Sequence, residues 1–214
     1  MKIGITQRVD KIIEYGEIRD SLDVRMIRWV SQSGFIPIPI PNGLVDISKP
    51  HSEQLELESW LKILKIDALV LSGGNDIGTI AERDLTEKYL LNWSEKKKIP
   101  VLGICRGMQM IAFYKGAELK SVEGHVNTRH VLNSNLNNVN EIFPETVNSY
   151  HNQSLVSCPE SFKVLAVSED GNIEAIAHKQ LPWEAWMWHP EREDIFSSHD
   201  ISRIKKLFTN NKGG

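Results

Sequence analysis

The sequence predicts an α/β fold, a doubly wound and mostly parallel sheet with flanking helices and extra strands in the C-terminal half. Short apolar runs alternate with helical periodicity from residue 2 to residue 115, which is typical of such a sheet. The 214 residues are 41% hydrophobic and 25% charged, which fits one domain with a substantial core. After Gly116 the chain becomes polar and then strand-like. We therefore expect a single domain over residues 1–214.

In the first half, the strands are predicted at residues 2–6, 35–40, 67–71 and 100–104. Residues 35–40 contain two prolines, which remove ladder donors and place that strand at an edge. The predicted helices start from Asp20, at residues 57–64, around residues 85–93 and at residues 106–115. In the second half, residues 118–140 are predicted as loops and short strands. Further strands are expected at residues 145–150, 162–168, 173–178 and 184–189, then a helix at 200–208 and a frayed tail at about 209–214.

Charge and composition exclude several classes of protein. The net charge is −3, and lysines and arginines are scattered, which argues against a nucleic-acid or membrane surface as the main partner. No apolar run approaches the roughly 18 residues of a membrane span, and the apolar start is too short for a signal peptide. The two cysteines make no disulfide framework. We therefore expect a cytoplasmic protein, and the sequence leaves a homo-oligomer open.

A G-x-C-x-G pentapeptide joins a buried strand to a helix at Cys105. Gly103 and Gly107 flank the cysteine at two positions on each side, where a sharp strand-to-helix turn brings the backbones close. The turn puts the sulfur at a helix N-terminus, which favours a nucleophilic thiolate. The alternative is a buried cysteine at a glycine-rich turn.

A candidate base lies 84 positions after the cysteine, at His189, and Pro190 and Glu191 follow it. A carboxylate on one ring nitrogen selects the tautomer whose other nitrogen can accept the thiol proton. A histidine at the end of a strand is also common as a structural residue. Its pairing with the G-x-C-x-G turn favours the catalytic interpretation.

The two motifs together resemble the class I glutamine amidotransferase superfamily and its Cys-His-Glu triad. Arginine at position 106 resembles the stand-alone γ-glutamyl hydrolase branch, as do Arg83, Asp84 and Glu87 and residues 147–153. The resemblance covers nearly the whole chain. It implies a small-molecule γ-glutamyl substrate, a covalent glutamyl thioester and no cofactor.

Two backbone amides are expected to meet the oxyanion of the tetrahedral intermediate, those of Gly74 and Arg106. Gly73 and Gly74 follow one predicted strand and Cys105 follows the next, so they can share the crevice beyond the strand ends. The alternative for the glycines is a simple turn. The resemblance implies further substrate contacts at Gly73, Gln109, Ser149, Tyr150 and His151.

The loop at residues 73–78 departs from the branch, whose members commonly have a longer loop with a proline after the aspartate. A more open mouth is expected, which puts the family's usual amine substrate in doubt. Arg8, Arg25 and Arg129 are candidates for contact with an anionic leaving group, or ordinary surface residues. The seven histidines show no close metal-ligand spacing, so we expect no metal site.

Two alternatives come from other functional classes. The chain could be a glutaminase subunit that passes ammonia to a synthase partner. It could also be a non-catalytic binding relative of the same fold. The presence of Cys105, His189 and Glu191 together argues against the latter.

Overall fold

The computed structural model describes residues 1–134 and 143–209. The helices are α1 (Val24–Gln32), α2 (Leu55–Leu64), α3 (Ala81–Lys97), α4 (Arg106–Tyr114) and α5 (Ser198–Thr209). The strands of the first half are β1 (Lys2–Thr6), β2 (Arg8–Ile12), β3 (Glu17–Ser21), β4 (Ile36–Ile40), β5 (Ala68–Leu71) and β6 (Val101–Ile104). Those of the second half are β7 (Leu119–Ser121), β8 (Val126–Val131), β9 (Asn133–Ser134), β10 (Thr146–Tyr150), β11 (Gln153–Leu155), β12 (Phe162–Val167), β13 (Ile173–His178) and β14 (Trp183–Trp186).

Eight strands form the central sheet in the order β4-β1-β5-β6-β14-β13-β12-β9. The first five are parallel, and β13, β12 and β9 continue the sheet with antiparallel pairing. The proline-containing β4 lies at the edge, where its missing donors cost no ladder bonds. The α/β fold with a mostly parallel sheet is therefore confirmed.

Two apolar cores lie on opposite faces of this sheet. One packs Met26 and Trp29 of α1 with Ile204 and Phe208 of α5. The other packs residues of α2, α3 and α4 against the second face. Both faces are therefore buried, which explains why the parallel strands are apolar without alternation.

The structure corrects three boundaries expected from the sequence. Asp20 belongs to β3, which pairs with β2 as a hairpin that the sequence did not reveal. Helix α1 begins at Val24, where the carboxylate of Asp23 accepts a hydrogen bond from the backbone N–H of Arg25. The last strand of the sheet ends at Trp186 instead of reaching His189.

Two other expectations lie wholly or partly outside the described residues. Those are the frayed tail beyond residue 209 and part of the polar segment at residues 118–140. Within the described chain, no helix combines the length and the apolar character that crossing a bilayer requires.

Candidate active site

Cys105 lies at a tight turn between β6 and α4, with φ of +51°. A Cβ on Gly103 would lie 2.7 Å from the carbonyl carbon of Gly107, and a Cβ on Gly107 would lie 2.1 Å from the carbonyl oxygen of Leu71. The backbones are therefore too close for any larger residue at either position. The positive φ is a strained conformation for a non-glycine residue, and such strain is concentrated at functional sites.

The imidazole of His189 lies between a carboxylate and the cysteine. Its Nδ1 is 2.7 Å from Oε1 of Glu191, and both side chains are buried. Burial alone would lower the pKa of His189, but the charges of Glu191 and Cys105 and hydrogen bonds to both raise it to about 10. A protonated imidazole next to the cysteine sulfur therefore persists at neutral pH.

Asn148 holds the backbone of His189 through two hydrogen bonds, one accepted and one donated by its side-chain amide. Its Oδ1 accepts from the backbone N–H of His189 at 2.9 Å, and its Nδ2 donates to the carbonyl oxygen of His189 at 2.8 Å. Nothing in the local sequence indicated this partnership, because the two residues are 41 positions apart. Since the strand ends at Trp186, this side chain supplies the support that a ladder would otherwise give.

The two glycines after β5 lie directly against the candidate base, the exposed Arg8 and the buried Arg83. A Cβ on Gly73 would lie 2.6 Å from Cε1 of His189. Gly74 has φ of +115°, and a Cβ there would lie 2.9 Å from both Cβ of Arg8 and Nη1 of Arg83. Both positions therefore require glycine, and the Gly74 backbone lines the cavity that contains Cys105.

The side chain of Arg106 points away from substrate into a buried ion-pair network. Its guanidinium contacts Asp84 and Glu87, and Glu87 also pairs with Arg83 at 3.3 Å. Arg83 in turn donates to the carbonyl oxygens of Ser72 at 2.8 Å and Gly73 at 2.9 Å.

This network joins the residue after the nucleophile to the glycine loop. Burial is the main influence on Arg83 and lowers its pKa to about 10, although Glu87 opposes the shift. Arg83, Asp84 and Glu87 line neither of the cavities at the site, and their contacts connect the glycine loop to Arg106.

The remaining residues expected to contact substrate divide into two groups. Gln109, Tyr150 and His151 line one cavity with Cys105. Gln109 also donates from Nε2 to the carbonyl oxygen of Gln153 at 3.1 Å. Ser149 does not line this cavity; its hydroxyl is fully buried and donates to the carbonyl oxygen of His125 at 2.7 Å.

Two cavities meet at the candidate base. The one that contains Cys105 has a volume of about 390 Å³. The other has a volume of about 280 Å³ and reaches from Gly73 and Glu191 toward the start of α1. Four residues line both, which are Arg8, Gly74, His189 and Arg192. A substrate can therefore place one part in each cavity, with the scissile bond between them near His189.

Three arginines, Arg8, Arg25 and Arg129, were candidates for contact with an anionic leaving group, and of these Arg8 lines the two cavities. Arg25 pairs with Asp23 at 2.8 Å and Arg129 pairs with Glu193 at 3.1 Å. Sequence reasoning missed Arg192, whose guanidinium lies 4.7 Å from the centre of the Tyr150 ring. Its position directly after the candidate base and carboxylate was the signal that could have indicated it.

The expectation of no metal site rested on the spacing of the histidines in the sequence, and the fold brings several of them close together. Although the histidines are widely spaced in sequence, His125, His130 and His151 come together with Glu174 in space. Strand pairing of β10 with β8 and the position of β13 bring these distant residues together. Sequence spacing alone could not reveal this cluster.

The Peptidase C26 family model matches residues 3–191. The chain is 31% identical to the γ-glutamyl-CDP-amidate hydrolase of Campylobacter jejuni, over 98% of each chain. It is also 30% identical to the glutamine-hydrolysing GMP synthase of Thermotoga maritima, where the match covers 95% of this chain and 37% of that protein. A solved glutamine amidotransferase from Thermotoga maritima superposes with a TM-score of 0.63 at 17% identity, over 100% of this chain and 86% of that one.

Proposed function

Since the chain belongs to the Peptidase C26 family and similarity supports hydrolysis of γ-glutamyl bonds, we propose that Cys105, His189 and Glu191 form its catalytic triad. One observation carries the proposal, namely the imidazole of His189 held by Glu191 at 2.7 Å with the Cys105 sulfur as its other partner. In this arrangement Cys105 is the nucleophile, His189 transfers the proton and Glu191 orients the imidazole.

In the first half of the reaction, the Cys105 sulfur attacks the γ-carbonyl carbon of the glutamyl group. The backbone amides of Gly74 and Arg106 donate to the resulting oxyanion. As the C–N bond breaks, His189 gives its proton to the leaving nitrogen and a glutamyl thioester remains on Cys105.

In the second half, His189 accepts a proton from water as the water oxygen attacks the thioester. The C–S bond then breaks, the sulfur recovers its electron pair and L-glutamate leaves. The proton ends on His189, so the enzyme is ready for another cycle. This sequence needs no metal or organic cofactor.

The two cavities suggest where the two parts of the substrate bind. In our proposal the glutamyl group occupies the cavity lined by Gln109, Tyr150 and His151, beside Cys105. The leaving group occupies the second cavity, where Arg8 and Arg192 can contact negative charge. The same cavity is lined by Asp10, which pairs with Arg8 at 2.9 Å, and by Asp23. An anionic leaving group is therefore supported by the similarity to a CDP-amidate hydrolase rather than by the charge of the cavity.

The similarity to γ-glutamyl-CDP-amidate hydrolase supports a specific substrate for this chain. In this finer proposal, γ-glutamyl-CDP-amidate is cleaved to L-glutamate and cytidine diphosphoramidate. A diphosphate would meet the arginines of the second cavity. The same proposal places the product in capsule phosphoramidate synthesis.

Glutamate release from a panel of γ-glutamyl compounds tests the substrate. The panel holds γ-glutamyl-CDP-amidate, γ-glutamyl-γ-aminobutyrate and glutamine. We expect the highest kcat/KM for γ-glutamyl-CDP-amidate. A preference for glutamine would overturn the anionic leaving group, and a preference for γ-glutamyl-γ-aminobutyrate would overturn the diphosphate leaving group. Either result would leave γ-glutamyl hydrolysis intact.

Arginine variants sharpen the same test. Arg192→Gln should raise KM for γ-glutamyl-CDP-amidate and leave KM for glutamine nearly unchanged. Arg19→Gln is the matched control, because Arg19 is exposed on β3, pairs with Glu17 and lines neither cavity. Equal effects of Arg192→Gln on both substrates would contradict a contact with the leaving group.

A glutaminase subunit is the second candidate, favoured by the similarity to glutamine-hydrolysing GMP synthase. This function predicts slow turnover of free glutamine that rises sharply when a synthase partner is added. High turnover of a γ-glutamyl compound by the isolated chain would instead support the stand-alone hydrolase.

A further inference from the structure

Three histidines and one glutamate form a buried cluster outside the catalytic arrangement. His125 precedes β8, His130 lies within β8, His151 follows β10 and Glu174 lies in β13. Each offers one ligand atom, and all four atoms lie within 4.8 Å of one another. Glu174 is completely buried, and His125 and His151 are nearly so.

Acceptor-only partners fix the tautomers of two of these histidines. Nε2 of His125 lies 2.8 Å from a carboxylate oxygen of Asp170, so this nitrogen carries the proton. Nδ1 of His151 lies 3.0 Å from the carbonyl oxygen of Gln153, so this nitrogen carries the proton. The inward-facing nitrogens, Nδ1 of His125 and Nε2 of His151, are therefore left with lone pairs.

Glu174 and His130 lack the hydrogen bonds that buried polar atoms require. Neither carboxylate oxygen of Glu174 has a hydrogen-bond partner among the described residues, and the same holds for Nε2 of His130. A buried carboxylate without partners costs considerable free energy. A cation bound among these atoms would supply the partner that this buried carboxylate requires.

The three spacings among the ligand atoms of His125, His151 and Glu174 are close to those in the coordination sphere of a small cation. Nδ1 of His125 and Nε2 of His151 are 3.2 Å apart. Oε1 of Glu174 lies 3.5 Å from the His151 nitrogen and 3.7 Å from the His125 nitrogen. Tetrahedral zinc with bonds of about 2.0–2.1 Å has ligand-to-ligand edges of about 3.3–3.4 Å.

We propose that His125, His130, His151 and Glu174 form a binding site for Zn²⁺. Imidazole and carboxylate ligands suit this ion, and four protein ligands make a closed structural site rather than a catalytic one. Asp170 and the Gln153 carbonyl would act as the outer partners that orient zinc-bound histidines.

The position of the site gives it a role in the architecture. The ion would tie β8 and the end of β10 to β13 of the central sheet. His151 also lines the cavity that contains Cys105, so bound zinc would hold one wall of that cavity. This proposal does not depend on the reaction that the cavity supports.

Zinc stoichiometry and affinity of the untagged full chain test the proposal. After removal of metal with a chelator, titration against a competing zinc indicator should give one Zn²⁺ per chain. Glu174→Gln and His130→Gln should each weaken binding at least about tenfold. His199→Gln is the matched control, because His199 is exposed on α5, and it should bind zinc like the wild type.

Two measurements keep the test decisive if the buried variants fail to fold. Asp170→Asn alters a half-exposed side chain and should weaken zinc binding about 10- to 100-fold. Co²⁺ added to the wild type should give the strong visible absorption of a tetrahedral site, and Zn²⁺ should displace it. No stoichiometric binding by the wild type, or unchanged affinity in Asp170→Asn and in any folded ligand variant, would overturn the proposal.

Discussion

A Cβ on Gly73 would lie 2.6 Å from Cε1 of His189, so glycine at this position sets where the imidazole can lie. The loop after β5 is held in turn by Arg83, which donates to the carbonyl oxygens of Ser72 and Gly73. The position of His189, the proposed base, thus depends on Arg83, which contributes no chemical group to the reaction.

Gly73→Ala should reduce kcat/KM by about 100-fold, because the added methyl group displaces the imidazole and a misplacement of this size is costly. Gly43→Ala is the matched control, since a Cβ there would meet nothing within 4 Å. Glutamate release by both variants checks the expectation. Wild-type kinetics in Gly73→Ala would mean that the imidazole of His189 can act as the base without being held against Gly73.

Glu191→Gln should lower kcat by several orders of magnitude with little change in KM. An amide can keep the geometry but can hold the wrong tautomer of His189. The loss should be smaller than that of His189→Ala, and the two should be non-additive because both act on one proton transfer. A raised KM at unchanged kcat, with multiplicative effects in the double variant, would make Glu191 a substrate contact.

The same substitution should change the pH dependence of acylation. The pKa of His189 is raised to about 10, in part by Glu191, so the proton donor is present below that pH and is lost above it. Without the carboxylate, the pKa of His189 falls, and the alkaline limb of kcat/KM should move to lower pH. An alkaline limb at the same pH in Glu191→Gln would show that another group sets it.

A γ-glutamyl electrophile should label Cys105 far faster than Cys158. Burial raises the pKa of the Cys158 thiol, with a partial offset from Lys179, so Cys158 is largely protonated at neutral pH. Cys105 lies at the N-terminus of α4 with His189 as its partner. Peptide mapping after brief exposure to the electrophile measures the ratio of labelled Cys105 to labelled Cys158. Equal labelling would show that the Cys105 thiol is not selectively activated.

Glu87→Gln should lower the free energy of unfolding by about 3–5 kcal/mol, because it leaves the buried Arg83 and Arg106 short of a countercharge. Glu82→Gln in the same helix is the control, since Glu82 is exposed, and should change stability by less than about 1 kcal/mol. Denaturant unfolding of both variants checks this. Similar free energies of unfolding for Glu87→Gln and Glu82→Gln would mean that the ion pairs of Glu87 contribute little to stability.

The sequence predicts those features that depend on neighbouring residues. The turn at Cys105 follows from glycines two positions away, and the edge position of β4 follows from its prolines. The β2–β3 hairpin escaped notice because β3 is exposed along nearly its whole length, so it lacks the alternation of buried and exposed residues that marks a strand.

Features that depend on tertiary structure were not accessible from the sequence. The hydrogen bonds between Asn148 and His189 join positions 41 residues apart. The cluster around Glu174 takes its histidines from β8, from the residue before β8 and from the residue after β10. Such contacts are set by how strands pair and how a sheet packs, not by local spacing. The expectation of no metal site rested on sequence spacing, which does not show this cluster.

Glutamate release by Cys105→Ala, compared with Cys158→Ala, tests the central claim most directly. With the γ-glutamyl substrate that the wild type prefers, the account predicts a loss of at least about 10⁴-fold in kcat for Cys105→Ala, as for other proteins that lose their nucleophile. Cys158→Ala should retain nearly full activity. A folded Cys105→Ala protein that releases glutamate at the wild-type rate would contradict the account.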